Sequence, residues 1–306
     1  MSARVTIRLE ELLLLKAEAR GFSFGPRQPV SSLLAGRHAS RLRGRGLAFE
    51  ELRHYHQGDD IRTMDWKATA RLRSPYVRVY SEERERPVLL VVDQRRPMFF
   101  GSQQAMKSVT AAEVAALGAW RTLDSGDRVG GLVFNEQEIV EVRPHRSQPR
   151  VLTLFHAICR LNTQLASNEP PEGKATLNQA LEGALRVAKH DHLVVLITDL
   201  DGANDNTQRL ATRLSAHNDV LVVAVYDPLG ISLTGTPGMF ANDIGRTWEI
   251  PSHSAFSRDF QAAFQRCLDR WREIFRALRV PVLPISTARP VVEQIRALFG
   301  NRPNTL

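Results

Sequence analysis

Three aspartates stand directly after apolar runs. Asp93 follows Val88-Leu89-Leu90-Val91-Val92, Asp199 follows Leu193 to Thr198, and Asp227 follows Val220 to Tyr226. A carboxylate so placed can bind a hard cation, cap a helix or pair with a guanidinium. A second group, His54, His56, Asp59, Asp60 and Asp65, falls within twelve positions. His54-x-His56 on a strand would project two imidazoles from one face, as a metal site requires. The same stretch also reads without metal. Gly58-Asp59-Asp60 makes a turn whose carboxylates bond backbone N–H groups, and Arg53, Arg62 or Arg71 close the network. A third feature is the cluster Arg37, Arg41, Arg43 and Arg45, which could neutralise phosphates. No GxGxxG follows a strand, and neither GxxxxGK[ST] nor GxSxG occurs, so dinucleotide, P-loop and nucleophile-elbow chemistry are not indicated.

The elements around these residues fall into two regimes. Residues 1–86 are polar and arginine-rich, with one helix expected at Arg8 to Arg20 and a two-faced strand at Tyr76 to Tyr80. From Pro87 onward, short apolar runs alternate with amphipathic stretches. Strands are expected at 88–92, 128–135, 138–142, 193–198, 220–226 and 280–285. Helices are expected at about 104–123, 152–161, 177–188, 205–216, 256–278 and 290–299. This alternation indicates an α/β fold with a mostly parallel sheet covered on both faces. Ligand sites in such sheets lie beyond the carboxyl ends of the strands, where Asp93 and Asp199 stand. Two units follow, 1–86 and 87–306, the first expected to pack on the second through Leu33, Leu34, Phe49, Leu52, Tyr55 and Trp66.

Composition narrows the classes. The 306 residues are 43% hydrophobic and 24% charged, enough apolar material for a core. The two cysteines, Cys159 and Cys267, exclude a disulfide framework and read as core positions on helices. The longest apolar run, Val220 to Tyr226, is too short to span a bilayer, and no secretory signal is seen, so a cytoplasmic location is expected. The net charge of +8 rests largely on residues 1–46, which hold nine basic and three acidic residues.

The stretch GRGLAFEELRHYHQGDDIRTMDWKATARL, Gly44 to Leu72, resembles the signature of the domain of unknown function 58 family, and so do the flanking LLAGRHASRLRGRG and Val77 to Glu83. These are bacterial proteins often encoded beside MoxR-type AAA+ ATPases, and their second half is similar to a von Willebrand factor A domain. The resemblance implies a six-stranded sheet with the strand at 138 as an antiparallel edge. It carries Gly58, Asp59, Asp60, Arg62, Asp65 and Trp66, but neither histidine, with Trp66 anchoring the segment on the A-like domain. It also implies a degenerate Mg²⁺ pocket. Asp93, Thr176 and Asp199 match ligand positions of such domains, whereas Arg95 and Pro97 stand where two serines belong. No metal and no cofactor are expected. Arg95 or Arg96 could instead fill the pocket and neutralise Asp93 and Asp199.

The function implied is a non-enzymatic adaptor that binds a MoxR-type AAA+ ATPase through Arg95, Arg96, Thr176 and Asp199, in chaperone-like assembly or maturation of other proteins. Two alternatives stay open: nucleic-acid binding through the basic 37–46 segment, and a metal-dependent hydrolase built on the acidic residues near Gly58.

Overall fold

The structure is a computed structural model that describes residues 4–20, 47–82, 86–166, 176–230, 240–243, 246–249, 251, 254–278 and 280–299. Arg37, Arg41, Arg43, Arg45, Leu33 and Leu34, singled out above, lie outside them, as do the side chains of Phe49 and Cys267. Two compact units are present: Met1–Arg27 with Arg86–Leu306, and Gln28–Glu85.

The larger unit is built on β3 (Val88–Asp93), β4 (Val129–Phe134), β5 (Ile139–His145), β6 (Leu193–Thr198), β7 (Asp219–Tyr226) and β10 (Val282–Ser286). Their order across the sheet is β10-β7-β6-β3-β4-β5. All neighbours are parallel except β5, the antiparallel edge. The central strands are apolar throughout because both faces are covered, and the two-residue period sorts their side chains. On β3, Val88, Leu90 and Val92 join one core, while Leu89 and Val91 join the other. The first core is covered by α3 (Lys107–Asp124), α4 (Gln148–Leu165) and α8 (Val291–Phe299). The second lies under α5 (Leu177–Val187), α6 (Asp205–Ser215) and α7 (Ser254–Ala277), where Trp271 and Phe275 stack at 5.3 Å. A short antiparallel pair, β8 (Phe240–Asp243) and β9 (Arg246–Glu249), precedes α7.

Helix α1 (Leu9–Glu18) belongs to this larger unit, whereas the boundary drawn from the sequence placed it with the amino-terminal segment. The reason is physical. Leu12 is fully buried against the first core, Trp120 Nε1 donates to the Leu12 carbonyl at 2.9 Å, and Arg296 pairs with Glu18 at 2.7 Å. An isolated ten-residue helix is marginal in water, so α1 depends on this packing.

In the smaller unit, β1 (Leu47–His54) pairs antiparallel with β2 (Tyr76–Glu82), with a bulge between Phe49 and Glu51. Between them run a 3-10 turn, Ile61–Thr63, and the short helix α2 (Trp66–Leu72).

Candidate functional site

Because β3, β6 and β7 run parallel, their carboxyl ends converge on one edge, and the three strand-terminal aspartates arrive together with the loops that follow. Asp93 is fully buried. Arg95, two residues on, folds back over it: Nε donates to Oδ1 at 3.0 Å and Nη2 to Oδ2 at 2.7 Å, while the Arg95 N–H reaches Oδ1 at 3.0 Å. The Thr198 hydroxyl, at the end of neighbouring β6, donates to Oδ2 at 2.7 Å. The guanidinium lies 5.4 Å from the Phe134 ring centroid. Its Nη2 also donates to the Asp201 carbonyl at 3.1 Å. The loop that aims this carbonyl holds Leu200 at φ 68° and Gly202 at φ 73°. A left-handed leucine is costly, and here the Leu200 N–H bonds Thr198 Oγ1 while the side chain is buried.

Burial pushes the Asp93 carboxyl above its ordinary range, against the pull of Arg95 and Thr198; the charge of Asp199 adds to the rise. For Arg95 burial acts to lower the value, but the Asp93 charge and hydrogen bond raise it on balance.

Asp199 has a different partner. Lys107 Nζ meets its Oδ2 at 2.6 Å, and the Asp201 N–H donates to Oδ1 at 3.0 Å. Sequence reasoning missed Lys107. A cue existed: Lys107 opens α3, where the helix dipole disfavours a cation. A lysine in that position gains from a nearby carboxylate, and the fold brings Asp199 to it. Of the expected cations, then, Arg95 fills the pocket beside Asp93 and a lysine, not Arg96, answers Asp199.

Arg96 is used otherwise. Its N–H donates to Glu136 Oε1 at 2.6 Å, its Nη1 to the Leu165 carbonyl at 2.9 Å, and its guanidinium lies over Phe99. Pro97 sits within the 3-10 turn Arg96–Met98. Thr176 caps α5: its hydroxyl accepts from the Gln179 N–H at 3.3 Å, and the Gln179 side chain returns the bond at 2.8 Å. Among the described residues, no hydrogen bond joins Thr176 to Asp93 or Asp199. The third aspartate, Asp227, accepts from Ser102 N–H and Oγ, Thr287 Oγ1 and Leu229 N–H. Burial opposes ionisation there, yet those hydrogen bonds hold the carboxyl below its usual range.

The Mg²⁺ chemistry of A-type domains does not fit these residues. Both Asp93 oxygens are engaged by Arg95, Thr198 or backbone, Asp199 is held by Lys107, and the serine positions carry Arg95 and Pro97. A divalent ion would have to displace two cations and would find no hydroxyl at the two serine positions.

Behind the site runs a buried polar chain. The Ile7 N–H donates to Asn162 Oδ1 at 3.0 Å, Asn162 Nδ2 to Gln94 Oε1 at 2.9 Å, and Gln94 Nε2 to the Ser108 carbonyl at 3.0 Å. Gln94 lies between Asp93 and Arg95, and Ser108 follows Lys107. The segment before α1 is thereby tied to both ion pairs. Arg4 adds to that attachment through Glu113 at 2.6 Å.

The Gly58 segment forms a separate network. Gly58 has φ 108°, a conformation that a side chain would strain. Asp59 takes a two-pronged contact from Arg53, at 3.0 and 2.7 Å, plus the His56 N–H, and the Arg53 hydrogen bond holds its carboxyl below the usual range. Asp60 accepts from the Arg62 N–H at 2.9 Å. Asp65 caps α2 through the Lys67 and Ala68 N–H groups and pairs with Arg78 at 2.8 Å, which lowers its carboxyl likewise. Arg78 thus takes a place that the sequence offered to Arg62 or Arg71. His54 meets the Tyr76 hydroxyl at 3.0 Å. Among the described residues, no group of His, Cys, Asp or Glu is arranged to hold a metal. One expectation needs correction: Arg95, expected as a partner contact, is only 6% exposed because it is committed to Asp93. Trp66 is 66% exposed.

A mostly parallel six-stranded sheet of this order, with one antiparallel edge, matches the arrangement that the resemblance to von Willebrand factor A domains implies. The chain belongs to the family described as Protein of unknown function DUF58, whose model matches residues 51–268. An uncharacterized protein of Mycobacterium tuberculosis strain H37Rv is 28% identical over 291 residues, covering 94% of this chain and 90% of that protein. Among solved structures, the conserved hypothetical protein BatB from Bacteroides thetaiotaomicron is similar at 14% identity and a TM-score of 0.42, over 69% of this chain and 97% of that one. The VWA domain of SpRpn10 is similar at 11% identity and a TM-score of 0.38, over 69% of this chain and 94% of that one. Among the described residues, no helix is long and apolar enough to cross a membrane.

Proposed function

We propose that this chain is a non-enzymatic interaction module, an adaptor that docks a MoxR-type AAA+ ATPase at the carboxyl edge of its sheet and acts in the assembly or maturation of other proteins. The observation that supports this is the mutual saturation of the edge. Asp93 with Arg95 and Asp199 with Lys107 leave the central charges paired and largely buried. Groups held in this way shape a surface rather than bind a metal or exchange protons with a substrate. Around them the edge exposes Phe100, Ser102, Thr176 and Asp201, an apolar and polar mixture suited to a protein contact. The resemblance of the Gly44 to Leu72 signature supplies the partner class.

The test is binding of the full chain to the MoxR-type ATPase of the same genome, measured by biolayer interferometry. Arg95 is a poor probe because reversing its charge would set two carboxylates together in the interior. Phe100→Ala and Asp201→Asn change exposed side chains without setting a second cation beside Arg95. Their combination should weaken the complex by about thirtyfold, the loss typical of a hot spot, at unchanged melting temperature. Wild-type affinity in the double variant would remove the sheet edge as the docking surface.

A further inference from the structure

The Gly58 network has a by-product on its outer side. The carboxylates of Asp59 and Asp65 are consumed by Arg53, Arg78 and backbone N–H groups, and Asp60 is turned onto the Arg62 N–H. The side chains of Arg62, Lys67, Arg71 and Arg73 are exposed, and none of them meets a carboxylate among the described residues. On α2, Lys67 and Arg71 are four apart and share one side, as do Trp66 and Ala70 beside them. Trp66 is 66% exposed, and Ile61, in the turn that leads to it, is 61% exposed. Nothing in the local fold needs a tryptophan there. Asp65 already caps the helix, and the first helical position would accept a small or polar residue.

We infer that this face, Ile61, Arg62, Trp66, Lys67 and Arg71, docks an acidic protein segment studded with apolar side chains. It goes beyond the adaptor reading, because it uses none of the residues assigned to the ATPase and gives the chain a second partner. The occupant follows from complementarity. Uncompensated cations select an acidic ligand, and an exposed tryptophan flanked by an aliphatic residue and arginines has the composition of a protein–protein hot spot. Single-stranded nucleic acid calls for successive aromatic platforms along a basic groove; here one aromatic ring stands on a two-turn helix. An interfacial membrane helix calls for a long apolar stripe, and the outer side of α2 offers Trp66 and Ala70 between cations. The network beneath makes the face rigid before binding, which lowers the ordering cost of the complex.

The test uses the full chain and three probes: a soluble synthetic peptide alternating glutamate with leucine and phenylalanine, an oligo-thymidine, and vesicles of phosphatidylcholine with phosphatidylglycerol. The peptide should bind saturably, shift Trp66 emission to the blue and weaken as salt rises. Trp66→Ala should cost about thirtyfold in peptide affinity, and Arg62→Glu with Arg71→Glu at least as much, at unchanged melting temperature. Absence of saturable peptide binding, or binding indifferent to both sets of changes, overturns the inference. So does tighter binding to the oligonucleotide or the vesicles than to the peptide. The same variants should keep full affinity for the ATPase. A parallel loss would merge the two surfaces and refute a second partner, whereas failure of the ATPase to bind any form would count against the adaptor reading alone.

Discussion

Replacing Arg95 by alanine would strand Asp93. The carboxyl is fully buried, and with the guanidinium gone its remaining partners are the Thr198 hydroxyl and one backbone N–H, with the charge of Asp199 close by. Breaking a buried pair from one side costs about 3–5 kcal/mol, because the partner charge is left without compensation. At about 2–4 °C per kcal/mol for a domain of this size, the melting temperature should fall by roughly 6–20 °C. The pH dependence has a definite sign. Burial already raises Asp93 above its unfolded value of 3.8, so its contribution to stability is fullest below that value and declines as pH rises. Without Arg95, which acts to lower it, the folded value climbs further. The deficit of the variant should therefore be smallest in acid and widen as pH rises through the range above 3.8 until the variant's own folded value is passed. Urea unfolding of wild type and variant across that range, followed by circular dichroism, measures it. The double change Asp93→Leu with Arg95→Met should recover much of the loss, since a packed apolar pair needs no compensation. A deficit below about 1 kcal/mol and flat with pH would refute the buried-pair reasoning, because that is the range of a surface ion pair.

Three further outcomes are expected. The wild-type melting temperature should be the same in EDTA and in millimolar Mg²⁺, while Arg95→Ser, Pro97→Ser and Lys107→Met together should introduce a Mg²⁺-dependent rise. Scanning calorimetry would show about 2.7 kcal/mol at a hundredfold excess over the dissociation constant, and no response in the triple variant would mean that more than the two cations and the missing hydroxyls keeps the ion out. Glu113, raised by burial against the pull of Arg4, makes the fold lose stability as pH rises above its ordinary 4.5; in Glu113→Gln the slope of stability against pH from chemical unfolding should become shallower, leaving the share of Asp93. The Cys159 thiol is pushed up to about 11, chiefly by burial, so its alkylation by iodoacetamide near neutral pH, followed by peptide mass spectrometry, should be much slower in the folded chain than in urea.

The sheet was legible in the chain because both faces are buried, so each central strand reads as an uninterrupted apolar run between amphipathic helices. The strand expected at 193–198 is β6 residue for residue, and that at 220–226 differs from β7 by its first position. The six strands, their direction and the antiparallel edge match the expected arrangement. What stayed hidden has the opposite character. β1, Leu47–His54, mixes Glu50, Glu51, Arg53 and His54 with its apolar residues, and its identity as a strand comes from pairing with β2 rather than from its own pattern. Helix α2 is too short for helical periodicity to register. At the site, position after a strand pointed to Asp93 and Asp199, and the cation beside Asp93 was foreseeable from its two-residue spacing. Lys107, ninety-two positions from Asp199, was not, because only the sheet topology brings the two together.

The buried chain from Ile7 through Asn162 and Gln94 to Ser108 has a direction, and direction constrains descent. Each link donates onward, backbone N–H to Asn162, amide to Gln94, amide to carbonyl, so neither side chain can be exchanged alone for a carboxylate or an aliphatic residue without stranding a neighbour in the dry interior. Divergent relatives should therefore keep positions 94 and 162 as an amide pair or replace both in one step. A lineage that has lost the segment before α1 should have rewritten both, since the first donor in the line belongs to that segment.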